Sequence, residues 1–380
     1  MRISIFIISF IVLSGCSSRP GNNNTGHTQA TVIDSIRYAK GFSIIQAGDC
    51  KILNVFNPWE GAKGIAYRYV LCPRGKQVPD SLRNFSVIYT PVKRIVCLST
   101  THIALLKDIG KLNTLVGVAG PAYITDSTTR DLIAHKKVLD VGYDQALNYE
   151  VLISLKPDLV LAYGIQGETA TQYKKLESLG IKVVLNGEYL ETSPLGKYEW
   201  VKFLAAFFEV SSEASKKFKD AEQQYLSLKA IGKSQKDRPR IMTGLPWKGA
   251  WYVPGGESYL AEMIDDAGGD YLWNDIHQRE SVPLNFEKVI ERASNADIWI
   301  NTGLSNSLND IRNEDNRLEN VKPFRHKMIY NNNAITSPSG GNDFWESGIT
   351  HPQVILKDLI KIFHPELFPS YQLVYYKKLN

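Results

Sequence analysis

Two short stretches of this 380-residue chain repeat one chemical pattern: Asn148-Tyr149-Glu150 and Asn285-Phe286-Glu287, 137 positions apart. In each, an Asn able to cap a helix precedes an aromatic ring and a carboxylate in the first turn, where the helix dipole favours negative charge. The dipole explains one such glutamate well and a matched pair of triplets poorly. Marks of catalysis are missing. The seven histidines (His27, His102, His135, His277, His326, His351, His364) never stand at i, i+4 and never accompany a cysteine pair, so a bare zinc or manganese site finds no motif. No Gly-x-Gly-x-x-Gly follows a strand, no phosphate loop ends in Gly-Lys-Ser/Thr, and no Gly-x-Ser-x-Gly elbow occurs. The chemistry on view is that of recognition.

The elements that hold those triplets are duplicated with them. Val151-Leu152-Ile153 continues the first copy and Lys288-Val289-Ile290 the second. Each is followed by an acidic residue opening an apolar strand: Asp158 to Tyr163 before Gly164, and Asp297 to Thr302 before Gly303. Strand–helix alternation on both sides predicts parallel sheets with crossover helices, hence two Rossmann-like α/β lobes. The first lobe spans 92–194 and the second, with the terminal helices, 234–380. Between them, residues 195–233 carry helical stripes (Trp200, Phe203, Leu204, Phe207, Phe208; then Ala214, Phe218, Ala221, Tyr225, Leu228), with a cap signal at Ser211-Ser212. They predict a long, rigid helix joining the lobes.

The amino-terminal part reads differently. Residues 1–15 have one basic residue and a short apolar run, a secretory signal rather than a span, which needs about 20 apolar residues. Leu13-Ser14-Gly15-Cys16 resembles the bacterial lipobox, in which the cysteine is lipidated; an ordinary signal peptide with a coincidental Cys is the alternative. Residues 16–31 predict a flexible tether, and 32–91 a small β-rich extension of short strands. Pairing of Ile52–Phe56 with Ile65–Leu71 sets Cys50 nearly opposite Cys72, where either a disulfide or two free thiols is admissible. Cys97 sits in an apolar strand. Net charge is +5, from 44 basic and 39 acidic residues, too balanced for a nucleic-acid footprint.

Residues Arg94 to His102, Leu115 to Val118, Asn148 to Val160, Leu179 to Val184, Gly255 to Tyr259 with Ala267 to Gly269, and Pro352 to Leu359 together resemble the class III, helical-backbone, periplasmic binding proteins of ABC importers for ferric siderophores, haem and cobalamin. The resemblance covers about residues 92–365 and leaves the extension outside it. It implies that Glu150 and Glu287 project from the two lobes and meet arginines of the permease's transmembrane subunits. It also implies a metal chelate as transported ligand, no resident cofactor or metal, and no catalysis. The protein is then exported, lipid-anchored at Cys16 and facing the periplasm, a monomer with no nucleic-acid partner.

In open α/β sheets ligands sit beyond the carboxyl ends of the strands. That rule nominates Thr100, Thr101, His102, Tyr123, Tyr143 and Tyr163 on the first lobe. On the second it nominates Trp247, Lys248, Trp251, Tyr252, Arg279, Asn301 and Trp345, with Phe344 nearby. Aromatic walls with a few fixed donors suit flat chelates; Arg279 or Lys248 would complement an anionic one, and cobalamin would need fewer cations. A bare-metal (zinc or manganese) binding protein and a secreted two-lobed enzyme are the competing readings.

Overall fold

A computed structural model of the chain describes residues 31–32, 35–143, 146–164 and 168–380. The signal segment and Cys16, and the tether apart from residue 31, lie outside the described residues.

The extension is a five-stranded sheet. Phe42–Ala47, Cys50–Phe56 and Ala66–Pro73 pair antiparallel, and Ser86–Thr90 adds on parallel to the last of them. Ile52 faces Val70, so two residues earlier the register brings Cys50 opposite Cys72. These two are joined as a disulfide with Cα atoms 4.4 Å apart. Cys97 is a free, buried thiol.

Each lobe is built on its own sheet. In the first lobe five parallel strands run in the order Val183–Leu185, Leu159–Ala162, Ile95–Cys97, Leu115–Val118, Leu139–Asp140. In the second the order is Asp270–Tyr271, Arg240–Thr243, Ile298–Ile300, Ile329–Asn331, Lys377–Lys378, with only the last strand antiparallel. Helices cover both faces of such sheets, so the strands are unbroken apolar runs rather than alternating ones. In both lobes the strand of the repeated unit lies beside the lobe's first strand.

The acidic residue opening each repeated strand ties those two strands together. Asp158 accepts the backbone amides of Lys93 (2.7 Å) and Arg94 (3.0 Å); Asp297 accepts the amide of Arg240 (2.8 Å) and the ammonium of Lys322 (2.6 Å). Burial pushes both carboxyls up, but these bonds outweigh it and hold each below the usual carboxylate range.

The connection between the lobes is two helices rather than one. Pro194–Ala206, capped by Ser193, is almost wholly buried. The chain then breaks at Glu209, whose φ of 58° ends helical geometry, and resumes as Ser211–Lys233. Those 23 residues span roughly 34 Å at 1.5 Å per residue. Ser211 and Ser212 are its first residues; the cap position is Val210, which offers no side-chain bond. Pro352–Phe363 packs along this helix and ends at His364.

Candidate interlobe binding cleft

The repeated triplets adopt the same geometry. Asn148 caps Tyr149–Leu155 by accepting the Val151 amide (3.1 Å), and Asn285 caps Phe286–Ala293 by accepting the Lys288 amide (2.9 Å). A cation stacks on the aromatic neighbour in each copy: Lys175 lies 3.9 Å from the centre of the Tyr149 ring, and Arg317 lies 3.8 Å from that of Phe286. Glu150 and Glu287 are both exposed, and each starts a helix at the carboxyl edge of its own sheet. Glu287 has Arg317 at 3.6 Å.

Between the lobes lies a cavity of about 500 Å³. Its second-lobe wall includes Tyr252, Arg279, Asn301 and Trp345, all four nominated by the strand-end rule; Tyr189, Glu191 and Lys197 come from the first-lobe side, and Glu60 from the extension. Tyr252 and Trp345 present half-exposed rings, 46% and 53%. Asn301 ends its strand at a left-handed φ of 57°, a conformation Asn tolerates better than most residues. Among the described residues its buried Oδ1 finds no hydrogen-bond partner.

The cations of this cavity are already engaged. Arg279 pairs with Glu280 (2.7 Å) and reaches across to the Leu190 carbonyl (3.4 Å). Lys197 donates to the carbonyls of Glu188 (3.2 Å) and Tyr189 (3.0 Å); burial pushes its ammonium down, with Glu188 and Glu191 pulling it back. Glu188 is buried, which pushes its carboxyl up. Each cation also has carboxylates beside it, Glu280 next to Arg279 and Glu188 and Glu191 near Lys197, so the cavity offers an anion little uncompensated positive charge.

The other nominated residues fall elsewhere. Trp251 is completely buried and its indole donates to the Thr243 carbonyl (3.0 Å), so it is second-lobe core and not a cleft wall. His102 is also fully buried, its imidazole pushed down to about 3 by desolvation, so it is packing rather than a ligand contact. Thr101 bonds to Ser99 and Glu188 beneath the first-lobe wall, and Thr100 is partly buried in the same helical turn. Tyr163 lies between the rings of His102 (6.4 Å) and Tyr189 (6.3 Å). Tyr123 and Tyr143 form an exposed edge-to-face pair 6.5 Å apart. Trp247 and Lys248 occupy a hairpin tip, with the ammonium 4.4 Å from the indole. Phe344 is buried beside Trp345.

The strand-end rule also covers Asn186 to Tyr189, which follow Val183–Leu185 and were not nominated. Nothing in the sequence marks Glu60. A second interlobe contact lies next to Trp345: buried Glu346 accepts the amides of Thr125 (2.7 Å) and Asp126 (2.9 Å), and Thr125 donates to Asp343 (2.7 Å). Among the described residues no three His, Cys, Asp or Glu side chains gather as metal ligands, and no helix is long and apolar enough to cross a membrane.

Comparison with known proteins agrees with this architecture. An uncharacterized lipoprotein of Methanocaldococcus jannaschii is 28% identical over 97% of this chain and 93% of its own length. A cobalamin-binding protein of Halobacterium salinarum is 23% identical over 56% of this chain and 54% of that relative. The crystal structure of a possible iron-binding, periplasmic solute-binding protein from Staphylococcus epidermidis superposes with a TM-score of 0.57 at 19% identity, covering 72% of this chain and all of that one. The sequence profile of the periplasmic binding proteins matches residues 95–331, well over half the chain, and the protein belongs to that family, the substrate-binding proteins of ABC transporters.

Proposed function

We propose that this chain is an exported, lipid-anchored substrate-binding protein that captures a metal chelate (an iron complex or cobalamin) between its lobes and delivers it to an ABC permease. Capture is by a single chain, and docking uses Glu150 and Glu287. The lipoprotein name of the Methanocaldococcus relative supports the anchor at Cys16. The Halobacterium and Staphylococcus proteins, named for cobalamin and for iron, support the ligand class.

The observation that carries the reading is the aromatic cleft whose Arg279 and Lys197 each lie beside carboxylates that offset their charge. It favours a neutral chelate, cobalamin or a neutral hydroxamate complex, over haem with its two propionates. Titrating the purified protein with cyanocobalamin, ferrichrome and haemin while following tryptophan fluorescence tests this. One of the neutral chelates binds at least about tenfold more tightly than haemin, a difference of roughly 1.4 kcal/mol. Stoichiometric zinc or manganese retained through dialysis, with no chelate bound, would instead install the bare-metal reading. Substrate turnover would install the enzyme.

A further inference from the structure

Beside the cavity of about 500 Å³, on the far side of Arg279 and Glu280, which line both, lies a second one of about 520 Å³. Leu190, Glu191 and Thr192 are common to both linings. On one side of the second chamber stand Gln278, Arg279 and Glu280 of the second lobe. On the other stand Lys40, Asn57 and Trp59 of the extension, the part of the chain that the profile match at residues 95–331 leaves out. Glu60, on the same turn, lines the first chamber.

This turn is locked in place. Asn57 has a left-handed φ of 45°, its amide donates to the Ile65 carbonyl (2.8 Å), and its side chain accepts the Ile65 amide (3.1 Å). Pro58 is buried against the first lobe: a Cβ on Gly164 would lie 2.5 Å from the Pro58 carbonyl oxygen, so only glycine at that strand end admits the turn. Trp59 packs edge-on to Tyr67 at 6.1 Å. The Tyr189 hydroxyl donates to the Gly164 carbonyl, and the Glu60 backbone amide bonds to the same phenol.

The base of the extension is anchored beside the cleft as well. Buried Glu199 accepts the amides of Arg37, Tyr38 and Ala39, at 2.7 to 3.1 Å. Buried Glu191 accepts those of Lys40 and Gly41, both at 2.9 Å. Five consecutive amides held by two carboxylates fix where the extension leaves the lobes, because each of those carboxylates would be costly to bury without its donors.

We infer that the turn Asn57–Ala62 is a third wall of the binding cleft, and that Glu60 selects chelates whose side arms are neutral or cationic hydrogen-bond donors such as amides and ammonium groups. The inference rests on the cleft being the ligand site. A planar or globular metal core fills the first chamber, and an arm extends past Arg279 into the second. Glu60, Glu191, Glu257 and Glu280 line the two chambers with Lys40, Lys197 and Arg279. Glu191 is held by backbone amides and Glu280 by Arg279, so Glu60 and Glu257 are the acceptors nearest an arm on that path. Acceptors lining a pocket reward a donor-bearing arm and repel a carboxylate-bearing one, which is selection by unfavourable as well as favourable contacts.

The test titrates the full-length protein in detergent with cyanocobalamin, ferrichrome and haemin, comparing wild type with Glu60→Lys, Glu60→Ala and Glu60→Gln. Glu60→Lys weakens cyanocobalamin and ferrichrome at least about tenfold while leaving haemin unchanged or tighter; Glu60→Ala weakens the neutral ligands about three- to tenfold, and Glu60→Gln stays within about threefold of wild type. Glu60 lies on an exposed turn, and thermal melting verifies that each variant folds. Affinities for all three ligands equal to wild type in Glu60→Lys and Glu60→Ala overturn the third wall. Equal losses for all three overturn the selection by donor arms. If wild type binds none of them, the cleft assignment falls first and the wall with it.

Discussion

The two copies of the repeated unit share a backbone and differ in the charge around their glutamates. In both, an Asn cap, a cation stacked on the neighbouring aromatic ring and an Asp clasp between adjacent strands recur nearly unchanged. In the second copy, however, Arg317 stacks on Phe286, sits 3.6 Å from Glu287 and is itself bound to Asp315. Lys175, on the first copy's ring, comes from the helix Glu168–Ser178 that follows the repeated strand. Duplication has preserved the scaffold that aims each carboxylate, while the cations supplied by other elements have been free to change. Exposed ion pairs are worth only about 0–1 kcal/mol, so Arg317 tunes Glu287 without neutralising it.

The largest effect expected from this comparison is on transport. In cells, Glu150→Ala with Glu287→Ala abolishes permease-dependent uptake, while the purified variant keeps its ligand Kd within about twofold, since steering and register are the work of such charges. Unchanged uptake would end the docking role. The single variants sharpen the contrast: Glu150→Ala lowers uptake more than Glu287→Ala, because a permease arginine meeting Glu287 must displace Arg317. Equal losses would show that Arg317 is irrelevant to docking.

A smaller effect separates the lobes in acid. His102 belongs to the first lobe, and burial depresses its pKa to about 3 from 6.5. A depressed basic group leaves the folded state neutral while the unfolded chain takes up a proton, so stability falls as pH drops below about 6.5, by about 2 kcal/mol at pH 5. Asp158 and Asp297, both depressed, lose their contribution only as pH falls below about 3.8. The raised carboxyls of Glu188, Glu262, Glu346 and Asp358 work the other way in both proteins. Between pH 7 and pH 5 the urea midpoint should therefore fall further in wild type than in His102→Leu. Parallel declines in the two proteins would contradict the assignment.

Much of the scaffold was legible because it is local. Strands buried on both faces are apolar runs, and the repeat shows itself as matched triplets. What escaped depends on contacts between distant segments. Asp158 and Asp297 were visible as residues opening strands, but their partners Lys93 and Arg240 lie dozens of positions away. The break at Glu209 was signalled by the Ser211-Ser212 cap between two helical stripes, but the left-handed turn that makes it was not. Trp251 and Tyr252 were nominated together, yet neighbours on a strand face opposite ways; the period of two, with Trp251 and Val253 buried and Tyr252 exposed, forbids both from lining one cavity. Thr100 to His102 fail for the matching helical reason, since one turn points its residues in different directions. Glu60 was beyond reach, because only the folded extension carries it more than a hundred residues along the chain to Tyr189 and Arg279.

The most direct test of the central claim, that the interlobe cavity holds the ligand, is isothermal titration of cyanocobalamin and ferrichrome into wild type and into Tyr252→Ala/Trp345→Ala. Loss of two aromatic walls weakens the bound chelate at least about a hundredfold, with folding intact because both rings are half-exposed. An affinity in the double variant equal to wild type would place the ligand somewhere other than between the lobes.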